Sequence, residues 1–194
     1  GGPVNTSASV SPSTGLLDYN IDAAKCQRDL WLAADVFGTR VQNGVKETHR
    51  TANLRGRPAI IVHGRADALV PVAFSSRPYY GMNRIVEGAA SKLTYVEVTN
   101  AQHFDAFIDN AALPGYDTMF VPLHYYFVKA MDAMWAHLTL NVPLPPAQVV
   151  RTVPRGGTPG QAPAITAANV PPILAAPPAA NQITFAGNTL TIPD

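Results

Sequence analysis

The sequence predicts an α/β fold in which a small parallel sheet is covered by helices. Two short runs rich in β-branched residues, 59–62 and 93–98, are typical of strands. A helical stretch over residues 75–87 separates them, and a strand–helix–strand unit joins parallel neighbours through a right-handed crossover. Asp67 follows the first strand and His103 follows the second, so both side chains are expected at one edge of the sheet.

Composition limits the classes of partner. The chain has 194 residues, of which 47% are apolar and 14% are charged, against about 25% charged in ordinary soluble domains. The net charge of +1 argues against nucleic acid or an anionic membrane surface as a partner. No run of about 18 apolar residues occurs, so no spanning helix is expected. No signal peptide is visible, and the Gly-Gly-Pro start predicts a piece of a longer protein.

The N-terminal part is expected to contain one helix. Residues 1–15 are rich in Ser, Thr, Gly and Pro, which favours a loop. Asp18 is placed to cap a helix that runs to about Phe37, and Gly38 is a natural stop. The single cysteine, Cys26, lies in the apolar pattern of this helix and is expected to be buried. Residues 39–56 are polar and basic and predict a connection.

The C-terminal part is expected to pair a long helix with a proline-rich tail. Residues 104–120 predict a loop, and the clearest helical pattern of the chain starts at Pro122 and ends at Asn141. Eleven of the 18 prolines fall between Pro143 and Pro193, which favours extended backbone that wraps over a larger body or serves as a flexible linker. Within it, Gly187-Asn188 between two β-rich triplets predicts a hairpin. The predicted division is residues 1–141, part of a catalytic domain, and residues 142–194, the tail.

The Asp and the His point to a catalytic relay. A serine hydroxyl becomes a good nucleophile when a histidine takes its proton and a carboxylate orients that histidine. Asp67 precedes His103, as the acid precedes the histidine in the hydrolase order Ser, Asp, His, and the two positions differ by 36 (103 minus 67). His63 precedes Asp67, so it is expected to brace the Asp67 loop or to line the pocket. Asp105 is expected to face solvent or to cap the next segment, and Arg65 to stay exposed.

Other site chemistries lack support in the sequence. There is no HExxH, no CxxC and no P-loop, so neither a metal nor an organic cofactor is expected. None of the seven serines lies in a GxSxG elbow, and Ser75 and Ser76 follow Asp67 and fit a helix start better. The nucleophile is therefore expected in a segment upstream of residue 1.

Three blocks of sequence resemble the C-terminal region of the D-(−)-3-hydroxybutyrate oligomer hydrolases. They are HGRADALVP at 63–71, RPYY at 77–80 and NAQHFDAF at 100–107. The resemblance implies a secreted bacterial serine esterase of the α/β-hydrolase type, which cleaves 3-hydroxybutyrate dimers and short oligomers during polyhydroxybutyrate degradation. It implies that Asp67 and His103 hold the relay positions, that the serine and the oxyanion hole lie upstream, and that residues 1–194 are roughly the last third of such an enzyme.

The sequence therefore predicts a carboxylic ester hydrolase whose two final core strands and flanking helices are present here. We expect residues 1–194 alone to be inactive and to need the upstream segment. Two alternatives stay open: another α/β-hydrolase, such as a tannase-like esterase or a serine peptidase, and a non-catalytic processed subunit. The candidates for pocket walls that bind the ester substrate are Tyr79, Tyr80, Phe104 and Phe107.

Overall fold

The computed structural model describes residues 9–194, which divide into two compact units with the boundary between Thr51 and Ala52. Of the loop predicted over residues 1–15, residues 1–8 lie outside the described residues, and residues 9–15 form turns. The second unit holds both the predicted strands and the proline-rich residues 142–194.

The first unit contains two helices where the sequence predicted one. Helix α1 spans Ile21–Leu32 and helix α2 spans Val36–Glu47. The break arises because the Asp35 side chain accepts a hydrogen bond from the Gly38 backbone N–H and starts a new helix. Gly38 is therefore in a first turn and is not a stop: a Cβ on it would lie 2.0 Å from the Ala33 carbonyl oxygen. The predicted connection over residues 39–56 is helical as far as Glu47.

The apolar residues of α1 are not buried within the first unit. No residue of α1 is buried, and the Cys26 side chain is exposed, so the prediction of a buried cysteine is wrong. The cap residue is Asn20, whose side chain accepts a hydrogen bond from the Ala23 backbone N–H. Asp18, the predicted cap, accepts from the Ile21 backbone N–H at 3.4 Å and also binds the hydroxyl groups of Ser11 and Thr14. A regular apolar spacing predicts which face a helix buries, but burial also requires a second layer to cover that face.

The second unit is built on a three-stranded parallel sheet in the order β1–β2–β3. Strands β1 (Ala59–Gly64) and β2 (Leu93–Val98) confirm the two predicted strands. Strand β3 (Gln148–Val150) was not predicted, because it is three residues long and lies in the proline-rich region. The central strand, β2, is buried along its whole length.

Each face of the sheet carries its own apolar cluster, as expected for strands that are covered on both sides. One cluster contains Val96 and Val98 of β2 with Tyr126 of the helix α5, Leu123–Leu140. The other contains Leu93 and Tyr95 of β2 and residues of the helix α3, Ser76–Glu87. The alternation of side chains along β2 thus divides its residues between the two layers.

Helices α3 and α5 and the terminal hairpin of this unit agree with the sequence pattern, whereas a short helix lies in a predicted loop. Helix α3 ends at Gly88, and α5 ends at Asn141, which adopts the left-handed conformation with φ 55°. The short helix α4 spans Tyr116–Met119 within the predicted loop. Strands β4 (Thr184–Ala186) and β5 (Thr189–Thr191) form the predicted hairpin, with φ of 54° and 62° at its two turn residues, a type I′ turn. Among the helices of residues 9–194, none is long and apolar enough to cross a membrane.

Gly64 ends β1 at a point where no side chain fits. A Cβ there would lie 2.4 Å from the Ala101 carbonyl oxygen. We expect Gly64→Ala to lower the unfolding free energy of the full-length protein by about 1–3 kcal/mol, because the two backbones must separate. Denaturant unfolding measures the change.

The matched control is Gly81→Ala in α3, where the added Cβ has only Leu190 near it, at 3.9 Å. This substitution should be neutral or stabilising, since Ala is the better helix former. Equal unfolding curves for Gly64→Ala and Gly81→Ala would contradict the packing argument.

Candidate active site

The carboxyl ends of β1 and β2 bring Asp67 and His103 into contact. The loops that follow the strands are joined by backbone hydrogen bonds, from Arg65 N–H to the Val98 carbonyl at 2.7 Å and from Ala66 N–H to the Ala101 carbonyl at 3.0 Å. Across this junction, His103 Nδ1 lies 2.8 Å from Asp67 Oδ2. The structure thus brings together the two residues that the sequence placed in a relay.

The Asp67 carboxylate is fixed at both oxygens. Its Oδ1 accepts hydrogen bonds from the backbone N–H groups of Leu69 and Val70, at 2.9 and 2.7 Å. Burial by itself would raise the pKa of Asp67, but the hydrogen bonds from Val70, His103 and Leu69 outweigh it and hold that pKa below its usual value. Asp67 is therefore ionised at neutral pH and accepts a hydrogen bond from the Nδ1–H group of His103.

His103 is placed to act as a base. With its proton on Nδ1, the imidazole keeps the lone pair of Nε2 available. Nε2 has no hydrogen-bond partner among residues 9–194, and a third of the side chain is exposed. An imidazole held in this tautomer by a buried carboxylate can take a proton from an approaching hydroxyl group.

A second histidine contacts the same carboxylate. His63, on β1, has its Nε2 3.2 Å from Asp67 Oδ2 and its Nδ1 2.8 Å from the Ser76 hydroxyl oxygen. The side chain lies behind Asp67, as expected for a residue that braces the loop.

Ser76, His63 and Asp67 have the distances of a Ser–His–Asp triad, but Ser76 is not accessible to a substrate. Only 6% of the residue is exposed, and its hydroxyl lies 2.9 Å from the buried Tyr95 hydroxyl. No serine within residues 9–194 contacts His103. The nucleophile predicted to lie upstream therefore has no substitute in the part of the chain that the structure describes.

Behind Ser76 lies a fully buried carboxylate that the sequence analysis did not single out. Glu97 of β2 accepts hydrogen bonds from the Tyr95 hydroxyl at 2.7 Å, from Arg77 at 2.7 and 2.9 Å, and from Arg65. Burial alone would raise its pKa, but hydrogen bonds from Arg77, Tyr95 and Arg65 hold the pKa of Glu97 below its usual value. Arg65, expected to stay exposed, is instead half-buried in this ion pair.

The sequence contained a signal for this cluster. A glutamate in a strand that is buried on both faces must find a cationic partner, because an unpaired buried charge is very costly. Arg65, which directly follows β1, and Arg77, in the first turn of α3, were among the candidates.

A pocket of about 390 Å³ adjoins His103. Of the four predicted wall residues, it is lined by Phe104 alone, whose ring meets the His103 ring edge-on at 4.4 Å between centroids. Phe107 packs behind Phe104, at 5.0 Å. Tyr79 and Tyr80 lie in the apolar cluster of α3 and β2, and Tyr80 is buried there. The other residues that line the pocket are Val62, Asp105, Ala106, Leu123, His124 and Phe127.

Asp105 positions one wall of this pocket. Its two carboxylate oxygens accept hydrogen bonds from the backbone N–H groups of Leu123 and His124, at 2.8 and 2.6 Å. It thereby caps the start of α5, which confirms the expectation that it caps the next segment. The cap fixes His124 and Phe127, whose rings stack at 5.7 Å, beside His103.

Comparison with known proteins identifies close relatives. The sequence profile of the 3HB-oligomer hydrolase (3HBOH) family matches residues 1–194. Over 194 residues, the chain is 60% identical to a D-(-)-3-hydroxybutyrate oligomer hydrolase of Azoarcus sp. (strain BH72), covering 100% of this chain and 28% of that protein. The protein of the same name from Paracidovorax citrulli (strain AAC00-1) is 58% identical over 185 residues, 95% of this chain and 26% of the relative.

A third relative of the same name, from Cupriavidus necator, is 53% identical over 194 residues, 100% of this chain and 27% of that protein. The chain thus spans about a quarter of the length of the curated relatives it matches. No solved structure matches it.

The buried Glu97 makes stability dependent on pH. Folding lowers the pKa of Glu97, so the ionised carboxylate stabilises the folded state. This stabilisation is complete above the ordinary carboxyl pKa of 4.5 and is lost as the pH falls through the lower pKa of Glu97 in the folded protein. We expect Glu97→Gln to lower the unfolding free energy of the full-length protein by about 3 kcal/mol or more at pH 7. The difference in unfolding free energy between Glu97→Gln and the parent protein should narrow as the pH falls from 5 to 3.

Urea unfolding at each pH measures this gap. Asp132→Asn, which changes an exposed carboxylate on α5, is the control and should track the parent protein throughout. A gap for Glu97→Gln that is constant from pH 7 to pH 3 would contradict the assignment of Glu97 as an ionised partner of the arginines.

Proposed function

Because the chain belongs to the 3HB-oligomer hydrolase family, we propose that it supplies the Asp–His half of the catalytic relay of a serine-type carboxylic ester hydrolase. The observation that carries this proposal is the hydrogen bond of 2.8 Å between His103 Nδ1 and Asp67 Oδ2 at the carboxyl ends of adjacent parallel strands. The relatives are named as hydrolases of D-(-)-3-hydroxybutyrate oligomers, and this is the substrate class that we propose for the complete protein.

In the proposed mechanism, a serine outside these 194 residues attacks the ester carbonyl. His103 Nε2 takes the hydroxyl proton as the new carbon–oxygen bond forms, and Asp67 stabilises the imidazolium. The tetrahedral intermediate expels the alcohol, to which His103 returns the proton, and an acyl-enzyme remains. Water then attacks the acyl-enzyme by the same proton transfers, which releases the hydroxy acid and restores the serine.

The sheet supports an α/β-hydrolase arrangement in which further strands continue beyond β1. Within residues 9–194, β1 pairs with β2 and has no partner on its outer edge. Beside it, a groove lined by Ile60, Val62 and residues of α5 carries exposed apolar side chains such as Met131 and Phe127. We propose that the upstream segment, which carries the serine, extends the sheet at this edge and covers this groove. Residues 1–194 alone would then be inactive.

The pocket beside His103 suits a short ester. Its walls are apolar at Val62, Leu123 and Phe127, and His124 adds a polar group. Its volume lies in the range of small-molecule sites. Secretion and a place in polyhydroxybutyrate degradation, which the resemblance implies, stay predictions.

Substitution of the relay tests the mechanism. In the full-length enzyme, we expect His103→Ala and Asp67→Asn each to lower kcat by about 10⁴-fold, because the base is lost or held in the wrong tautomer. Ser76→Ala is the contrast: it removes the buried serine of the apparent triad and should cost less than about 100-fold. Steady-state kinetics with an ester substrate and a thermal melt of each variant provide the measurement.

If Ser76→Ala abolished turnover while His103→Ala retained it, and both proteins still folded, the buried serine would be the candidate nucleophile and the relay through His103 would be wrong.

The choice of substrate tests the family-based part of the proposal. We expect the full-length enzyme to hydrolyse the 3-hydroxybutyrate dimer or trimer with a higher kcat/KM than a gallate ester or a peptide amide. Discrimination is a difference in transition-state stabilisation, so kcat/KM for the three substrates is the relevant comparison. A preference for the gallate ester or for the amide would favour a tannase-like esterase or a peptidase instead.

A further inference from the structure

A continuous chain of hydrogen bonds connects the Asp67 carboxylate to the Glu97 carboxylate. It runs from Asp67 to His63 (3.2 Å), from His63 to Ser76 (2.8 Å), from Ser76 to Tyr95 (2.9 Å) and from Tyr95 to Glu97 (2.7 Å). We call these five residues the buried relay chain. It contains four hydrogen bonds, and a carboxylate that can only accept stands at each end when both are ionised.

Four hydrogen bonds require four protons, one in each link. The Tyr95 hydroxyl supplies one, the Ser76 hydroxyl supplies one, and a neutral His63 ring supplies one, which makes three. Burial raises the pKa of Tyr95, so this phenol keeps its proton. With a neutral His63, one link would hold two oxygen or nitrogen lone pairs facing each other at hydrogen-bond distance, which is unfavourable in a buried site.

The direction of each donor follows from the Glu97 end. Glu97 accepts from Arg65 and Arg77, which keep it ionised, so the Tyr95 hydroxyl must donate to it. The Tyr95 oxygen then accepts from Ser76, and the Ser76 oxygen accepts from His63 Nδ1–H. At the other end, His63 Nε2 must donate to Asp67 Oδ2, since Asp67 is held ionised by the backbone N–H groups of Leu69 and Val70.

We propose that His63 carries a proton on both ring nitrogens at neutral pH and acts, as an imidazolium, as a positioning residue for the Asp67–His103 pair. This inference rests on the proposed function, because its role in catalysis requires that Asp67 and His103 form the relay. The charged or titratable groups around the ring are Asp67 and His103 on the side of the pocket and Glu97, Arg65 and Arg77 on the side of the core.

The proposed charge has two consequences for Asp67. The imidazolium holds Oδ2 from the core side while the two backbone N–H groups hold Oδ1, so the carboxylate cannot rotate away from His103. The positive charge also offsets part of the negative charge that His103 experiences. When this positive charge is removed, the Asp67 carboxylate favours a positive charge on His103 more strongly.

Side-chain NMR tests the protonation directly. In full-length enzyme labelled with ¹⁵N-histidine at pH 7.5, both His63 nitrogens should have the shifts of protonated ring nitrogens; signals lost in His63→Gln provide the assignment. Tyr95→Phe removes one proton and two links, so the remaining two links need only a neutral His63, and one nitrogen should become unprotonated. Tyr126→Phe, which removes a buried hydroxyl that donates to the Pro171 carbonyl at 2.9 Å, is the control and should leave both nitrogens protonated.

Kinetics test the role of the charge. The acid limb of the kcat/KM profile should move up by about 0.5–1 pH unit in both His63→Gln and Tyr95→Phe. Tyr126→Phe should leave the limb in place. A purely structural role for Tyr95 would lower activity without moving the limb. In addition, kcat should fall by about 10–100-fold in His63→Gln as Asp67 loses its brace.

A single protonated nitrogen on His63 in the parent enzyme would overturn the proposal, as would a ring that stays doubly protonated in Tyr95→Phe. An unmoved acid limb in both variants would overturn the catalytic role. The failure of the proposed function has a different signature: His103→Ala would retain turnover, whatever the NMR signals of His63 show.

Discussion

The site depends on the close approach of two backbone segments at the ends of β1 and β2. Gly64 lies against Ala101 at a distance that leaves no space for a Cβ, and two backbone hydrogen bonds join the loops at this point. Asp67 lies three residues after Gly64 and His103 lies two residues after Ala101, so the backbone geometry at the junction brings their side chains within hydrogen-bond distance. Parallel strands place such loops at one edge of the sheet, and the glycine determines how closely they meet.

The sequence predicted the parts of this arrangement that arise from local pattern. Strands β1 and β2, helix α5 and the hairpin have strong local signals, and Asp67 and His103 could be paired because each follows a strand. The break between α1 and α2 was missed because Asp35 is a helix N-cap within an apolar pattern. Strand β3 was missed because three residues among prolines become a strand only when β2 offers an edge.

Polar side chains inside the fold were the hardest part to predict. Glu97, Tyr95 and Ser76 come from two elements, and each looks unremarkable alone: a strand residue, an aromatic core residue and a helix start. Their connection to His63 depends on the register of β1 against β2, which pairs His63 with Glu97. The structure also shows why distance by itself does not identify a nucleophile. Ser76 has suitable distances to His63, yet it faces a buried tyrosine and no substrate can reach it.

One long-range contact affects the order in which the site can form during synthesis. The Arg65 guanidinium, which holds Glu97, also donates to the Pro193 carbonyl at 2.7 Å, and the two residues are 128 positions apart. At about 5–20 residues per second, the ribosome needs roughly 6–26 s to make the intervening chain. Throughout that interval Arg65 lacks this partner, although β1 and β2 are already available to pair. The surroundings of the Asp67 loop are therefore among the last parts of the second unit to be completed.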